Sequence, residues 1–194
     1  MTYTPPIRAA QYLIRHAVDM KALQACPDFQ DVSDDLIGDI LGGSAAFASE
    51  VLAPLNWAGD QDGANLTGDD VIAAPGFKEA YRAFVDGGWQ SLAAPTEFGG
   101  MGLPQTVSVG ANEMLYAANM AFGLCPMLTA SSMNAVFAHA SDDIKQIYLA
   151  KMATGEWTGA MNLTEPQAGS DLGALRTKAV SNGDGTYRER PCPV

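Results

Sequence analysis

The sequence predicts a mainly α protein, with an N-terminal helical bundle over residues 1–156 and the opening strands of a β-barrel-like domain over 157–194. Three observations carry this. Apolar residues recur at helical spacing through most of the chain before residue 155. Ser-Asp-Asp triplets at 33–35 and 141–143 stand where helix N-caps are expected. Past Trp157 the texture turns to short apolar and β-branched runs, with the strong hairpin turn Asn182-Gly183-Asp184-Gly185 between the last two. A length of 194 residues, set against roughly 150 per domain, suits one full domain and part of another.

Taken in order, Ile7, Leu13, Ile14, Ala17, Val18 and Leu23 predict one amphipathic helix over 7–25, closed by Pro27. Ser33 caps the second helix, where Asp34 and Asp35 complement the dipole. Leu36, Ile40, Phe47 and Val51, with Ile37, Leu41, Ala48 and Leu52, form its apolar stripe. Gly42 and Gly43 interrupt the stripe at a cost on the order of 1 kcal/mol each and mark close packing or a bend. Residues 56–70, rich in Gly, Asp and Asn, read as a surface loop. A helix over 76–86 turns Phe77, Tyr81, Phe84 and Val85 inward and ends at Gly87 and Gly88.

Residues 95–104 form a loop punctuated by Gly99, Gly100 and Gly102. The alanine- and methionine-rich stretch 106–139 reads as buried helix in two segments broken near Pro126. After Ser141, Ile144, Tyr148 and Met152 recur every fourth residue until Gly155 stops the helix. Residues 157–163 and 176–181 are candidate strands, and Thr186, Tyr187 and Arg188 follow the hairpin turn.

Charge and cysteines narrow the function. Twenty-two acidic residues against 11 basic ones give a formal charge of −11, which argues against nucleic acid and against an anionic membrane as partners. Cys26, Cys125 and Cys192 lack CxxC spacing or a companion histidine, so neither a zinc site nor a disulfide framework is expected, and a reducing compartment suits them. No apolar run is read as a leader or a membrane span, and the expected location is the cytoplasm.

Chemistry is concentrated in residues 161–173. An apolar strand there enters a loop in which Pro166 fixes a turn and Gly169 lets the backbone approach a ligand. The Thr164 and Ser170 hydroxyls and free strand-end amides can meet a planar heterocycle or a phosphate. An ordinary strand-to-turn connection with an ST-turn at Ser170 explains the same spacing. Elsewhere the plainer readings stand. His139 ends a helix and has no G-x-S-x-G serine to serve; Met114, Met120, Met127 and Met133 fill a core rather than line an acyl pocket. Two of the three Asp pairs, at 34–35 and 142–143, cap helices, while the pair at 69–70 falls in a loop; Gly99-Gly100-Met101-Gly102 has no lysine after it to bind phosphate.

The run Thr164-Glu165-Pro166-Gln167-Ala168-Gly169-Ser170-Asp171 resembles the T-E-P-x-A-G-S-D signature of the acyl-CoA dehydrogenases. Gly99-Gly100-Met101-Gly102-Leu103 resembles that family's G-G-x-G-L loop, and 149–157 its L…M…G-E helix end. Tyr3-Thr4-Pro5-Pro6 and Met161-Asn162-Leu163 resemble the branch that acts on 3-methylmercaptopropionyl-CoA. The resemblance implies the family's helical bundle and β middle domain, FAD as cofactor, an acyl-CoA substrate, oxidation to the trans-2-enoyl-CoA, an electron-transferring flavoprotein as partner, and homo-oligomers at full length. It places Met161, Asn162, Leu163 and Thr164 along the flavin, Leu163 against the ring and the Thr164 hydroxyl and nearby amides at the pyrimidine edge. Ser170, helped by the Gly169 backbone, falls near the cofactor and the CoA phosphates.

Two departures follow. Met161 stands where many members carry an aromatic residue, and 189–194 reads Glu-Arg-Pro-Cys-Pro-Val where the family continues its sheet. Two prolines in the last four residues cannot donate ladder hydrogen bonds. The expectation is a truncated N-terminal portion without the C-terminal helical domain that carries the family's base glutamate, so no catalytic residue is assigned, and Glu97, Glu113 and Glu165 are not bases. Half a flavin pocket binds FAD poorly. The alternative is a non-catalytic helical binding or assembly module derived from the same family.

Overall fold

The computed structural model describes residues 3–190, so Cys192 and the proline-bearing tail 191–194 lie outside the described residues. Two compact units divide the chain, with the break between Ala160 and Met161. The first is built from α1 (Ile7–Ala17), α2 (Met20–Gln24), α3 (Asp34–Phe47), α4 (Ala53–Asp62), α5 (Phe77–Asp86), α6 (Gln105–Ala118), α7 (Met120–His139) and α8 (Asp142–Ala153), with a small hairpin β1 (Asn65–Thr67) and β2 (Asp70–Ile72). The second contains the antiparallel hairpin β3 (Lys178–Ser181) and β4 (Tyr187–Arg190), with Val180 opposite Arg188.

The core sits where α3 and its continuation cross α5, α6 and α7: Leu41, Leu52, Phe84, Val107, Met114 and Leu115 are essentially without exposure. Burying each such side chain contributes roughly 1.5–3 kcal/mol. The α3–α6 crossing is close because Gly110 lets the Leu41 and Ile14 side chains approach, and because the buried Ser44 hydroxyl donates to the Ala111 carbonyl at 2.7 Å. A second cluster, Phe98, Met133, Leu149, Met152 and Ala153, joins α7 and α8 to the loop after α5.

Several expected boundaries move. Residues 7–25 form two helices, because Val18 is extended and the Asp19 carboxylate caps a new one by accepting the Ala22 amide at 3.1 Å. Ser33 caps α3 as expected, its Oγ accepting the Leu36 amide at 3.1 Å. The helix is unbroken through Gly42 and Gly43. Gly43 instead admits the Trp89 ring, and the irregularity is a π-helical turn at Ala48–Leu52. The helix then runs on through residues read as loop, giving 29 residues from Asp34 to Asp62, with Pro54 directly after the π-helical turn, where the regular hydrogen-bond ladder is already interrupted.

Pro126 does not divide the 106–139 stretch; it lies inside α7. The break falls at Asn119, which is extended and buried, accepts the Phe122 amide at 3.0 Å and donates to the Leu52 carbonyl at 3.3 Å. In α8 only Met152 of the expected stripe is buried, along with Leu149 and Ala153, while Ile144 and Tyr148 face outward. Tyr148 and the Lys151 ammonium, 4.3 Å from the ring centroid, hold Trp157 after the helix. Residues 157–163 form no strand, for no described segment pairs with them; the one bridge nearby joins Glu165 to Ala168.

Asp34–Asp62 and Met120–His139 are long and apolar enough to cross a membrane by length and composition, contrary to the sequence expectation that no run qualifies. In this fold both contribute buried side chains to the clusters above, Leu41 and Leu52 from the first and Phe122 and Met133 from the second.

Candidate functional site

Within the second unit, Met161, Asn162, Leu163, Thr164, Glu165, Pro166 and Thr177 line an open hollow of about 480 Å³. The side chains the sequence singled out are presented rather than packed away: Met161 is 54% exposed and Leu163 40%. Asn162 and Thr164 are exposed beside them, so the hollow combines apolar surface with a carboxamide, a hydroxyl and free backbone groups. Such a mixture fits a flat ligand with one apolar face and one polar edge.

Ser170 and Gly169 lie outside that lining. Ser170 is exposed and makes no hydrogen bond among the described residues; the local turn belongs to Asp171, whose Oδ1 accepts the Gly173 amide at 3.1 Å, rather than to an ST-turn at Ser170. Gly169 has no positive φ, and a Cβ built on it would meet nothing within 4 Å. Nothing among the described residues requires glycine at this position.

Gly100 is the opposite case. A Cβ there would lie 2.0 Å from the Ala94 carbonyl oxygen, so the fold alone accounts for it. The 95–104 loop is pinned by backbone bonds from Met101 to Ser91, Gly102 to Ala94 and Leu103 to Leu92, and a hollow of about 640 Å³ beside it is lined by Asp28, Phe29, Thr96, Glu97, Leu103 and Phe137, among others.

Sequence reasoning did not find the residue that organises the hollow. The Glu165 carboxylate accepts the Arg176 amide at 2.9 Å through Oε2 and the Thr177 amide at 2.8 Å through Oε1, and the Gln167 carboxamide also donates to it. Hydrogen bonds from the Thr177 hydroxyl, then from these amides, hold the carboxyl well below the usual range, at about 2. The signal available in the sequence was an acidic residue directly before a turn proline, with no basic partner at helical spacing.

The remaining candidates fall as packing or surface. Met114 and Met133 are buried, Met127 is half-buried and Met120 is exposed. His139 is exposed at the last turn of α7. Asp34, Asp35, Asp142 and Asp143 occupy first helical turns, while Asp69 and Asp70 belong to the β1–β2 hairpin. Cys26 and Cys125 are exposed free thiols. An 80 Å³ cavity between α5, α6 and α7 holds the buried Gln90, whose Nε2 donates to the Pro126 carbonyl at 3.4 Å while Oε1 has no partner among the described residues.

Comparison with known proteins bears on this arrangement. Residues 44–156 match the model of the acyl-CoA dehydrogenase N-terminal domain. The chain is 44% identical over 187 residues to the 3-methylmercaptopropionyl-CoA dehydrogenase of Ruegeria pomeroyi, covering 96% of this chain and 32% of that protein. Butyryl-CoA dehydrogenase from Megasphaera elsdenii superposes with a TM-score of 0.67 at 25% identity, over 79% of this chain and 38% of that one. An acyl-CoA dehydrogenase from Bacillus anthracis, complexed with FAD, gives 0.65 at 24% identity, over 82% of this chain and 26% of that one, a likeness of fold. This chain thus spans about a third of the length of the Ruegeria relative.

Proposed function

The chain belongs to the acyl-CoA dehydrogenase family, and on that premise we propose that it supplies the helical and first flavin-contact portion of an FAD-dependent enzyme that oxidises a short acyl-CoA thioester to the trans-2-enoyl-CoA. The observation that carries the reading is the hollow formed by 161–166 and Thr177, which turns Leu163 and Thr164 outward. Similarity to the Ruegeria relative favours a small thioether acyl group of the kind in that relative's name.

When FAD is bound, the chemistry it supplies is acceptance of hydride from the carbon β to the thioester. Leu163 and Met161 offer apolar surface that excludes water from a ring face. The Thr164 hydroxyl, the Asn162 carboxamide and their backbone amides offer hydrogen bonds to a polar edge, where donors favour the added negative charge of the reduced state. Gly169 allows close backbone approach, and the Ser170 hydroxyl is free to meet the CoA phosphates. Deprotonation at the α-carbon is not a task for this chain's candidates. Glu165 already serves two backbone amides, and Glu97 and Glu113 are solvated surface residues of the helical unit. Electron transfer to an electron-transferring flavoprotein, homo-oligomeric assembly and a cytoplasmic location complete the proposal.

Titrating the purified chain with FAD, followed by induced circular dichroism in the flavin bands, tests it. A weak saturable signal that Leu163→Asp removes is expected. No signal at any concentration, with the helical unit intact, overturns the flavin reading and leaves a non-catalytic helical module.

A further inference from the structure

The span from Glu165 to Thr177 is closed by one side chain. The backbone pairing of Glu165 with Ala168, 3.1 and 3.0 Å, closes only the four-residue turn around Pro166. A 3₁₀ turn at Leu172–Ala174 and the Asp171 cap shape the middle of the span without tying it to Glu165. What returns the chain to its starting point is the pair of bonds from the consecutive amides of Arg176 and Thr177 to the two oxygens of one carboxylate. Gln167 also donates to the carboxylate, and to the Ala174 carbonyl at 3.3 Å.

That geometry needs an ionised carboxylate. Each oxygen faces an N–H donor, so protonation of either one sets donor against donor. Glutamine has nearly the same shape but only one acceptor; its NH₂ would face an amide N–H. Aspartate is shorter by one methylene and does not span the same gap. The consequence is local to the hollow, because Thr177 shares its lining with Leu163 and Thr164.

We propose that Glu165 is a positioning residue of the ligand hollow: by accepting the Arg176 and Thr177 amides through separate oxygens, its carboxylate holds Thr177 in one lining with Leu163 and Thr164. The role rests on the flavin reading of that hollow, whereas the clasp itself is measurable without flavin. It also separates Glu165 from proton transfer, since both oxygens are engaged and the carboxyl is held far into its ionised range.

The test uses the full chain and Glu165→Gln and Glu165→Asp variants. Amide hydrogen exchange without flavin is expected to show protection of Arg176 and Thr177 falling at least tenfold in both, with α3 and α6 amides unchanged. Equal protection in wild type and Glu165→Gln overturns the clasp. FAD titration is the second readout: Kd is expected to rise about tenfold in Glu165→Gln. If the amides are released but FAD affinity is unaltered, the positioning role is wrong although the clasp exists. If the wild-type chain shows the clasp but no FAD signal, the flavin reading fails and takes the positioning role with it.

Discussion

Asn119 donates its carboxamide to the carbonyl of Leu52 at 3.3 Å, across 67 residues of chain, while its Oδ1 accepts the Phe122 amide and starts α7. One buried side chain therefore both separates α6 from α7 and fastens that junction to the end of the π-helical turn.

Replacing Asn119 by Ala removes the cap, about 1 kcal/mol, and strands a buried carbonyl, about 1–3 kcal/mol more. Serine keeps a capping oxygen but does not reach Leu52. Urea unfolding is expected to rank wild type above Asn119→Ser above Asn119→Ala. Equal midpoints for the two variants would show that the capping oxygen contributes nothing.

Gly100→Ala and Gly169→Ala form an opposed pair. At Gly100 the new methyl meets the Ala94 carbonyl oxygen 2.0 Å away, and relief requires backbone movement that costs on the order of 3 kcal/mol. At Gly169 the same methyl enters open space, so stability should change by less than about 0.5 kcal/mol while flavin affinity falls. Thermal unfolding and FAD titration of both variants check the contrast. A destabilised Gly169→Ala protein would mean that the fold, not a ligand, requires that glycine.

Phe84 lies 1% exposed, edge-on to Phe122 with ring centroids 5.7 Å apart and near Phe47 and Tyr81. Phe84→Ala should cost about 3–5 kcal/mol through lost burial and a residual cavity. Chemical denaturation followed by helical circular dichroism measures it, and a loss under 1 kcal/mol would contradict the core described above.

Loop closure should depend on pH through Glu165. Its carboxyl is lowered from 4.5 to about 2, so the unfolded loop takes up a proton more readily than the folded one. The contribution is complete above pH 4.5 and disappears as pH falls toward 2. The charged side chains of the same span, Asp171, Arg176 and Lys178, form no ion pair with Glu165 among the described residues; Arg176 offers its backbone amide. Protection of the Arg176 and Thr177 amides should fall across that window in wild type and stay flat in Glu165→Gln. A flat wild-type profile would count against the clasp.

Local chemistry in the sequence located much of this architecture. The Ser33 cap, the Phe77-to-Asp86 helix and the Asn182–Gly185 turn each follow from short-range rules, and the structure has them. The errors share one cause, which is a distant partner deciding between local options. Pro126 looks like a helix breaker, yet the break sits at Asn119 because Leu52 supplies a buried acceptor there. Residues 157–163 have strand composition but no ladder, since a strand exists only with its neighbour. At the hollow, the exposed side chains were readable from the signature run, but the clasp at Glu165 was not, because the two amides that close it lie 11 and 12 residues away and are backbone groups that any residue supplies.

The β3–β4 ribbon has a further effect on how the protein behaves in solution. Every described residue of β3 is exposed, and a two-strand ladder leaves peptide groups unpaired along its outer margins, where another molecule's strand could add. Mutual repulsion between chains of charge −11 opposes that contact at low ionic strength. High salt weakens the repulsion without covering the margins, so the concentration at which copies begin to associate should be set by salt more than by temperature.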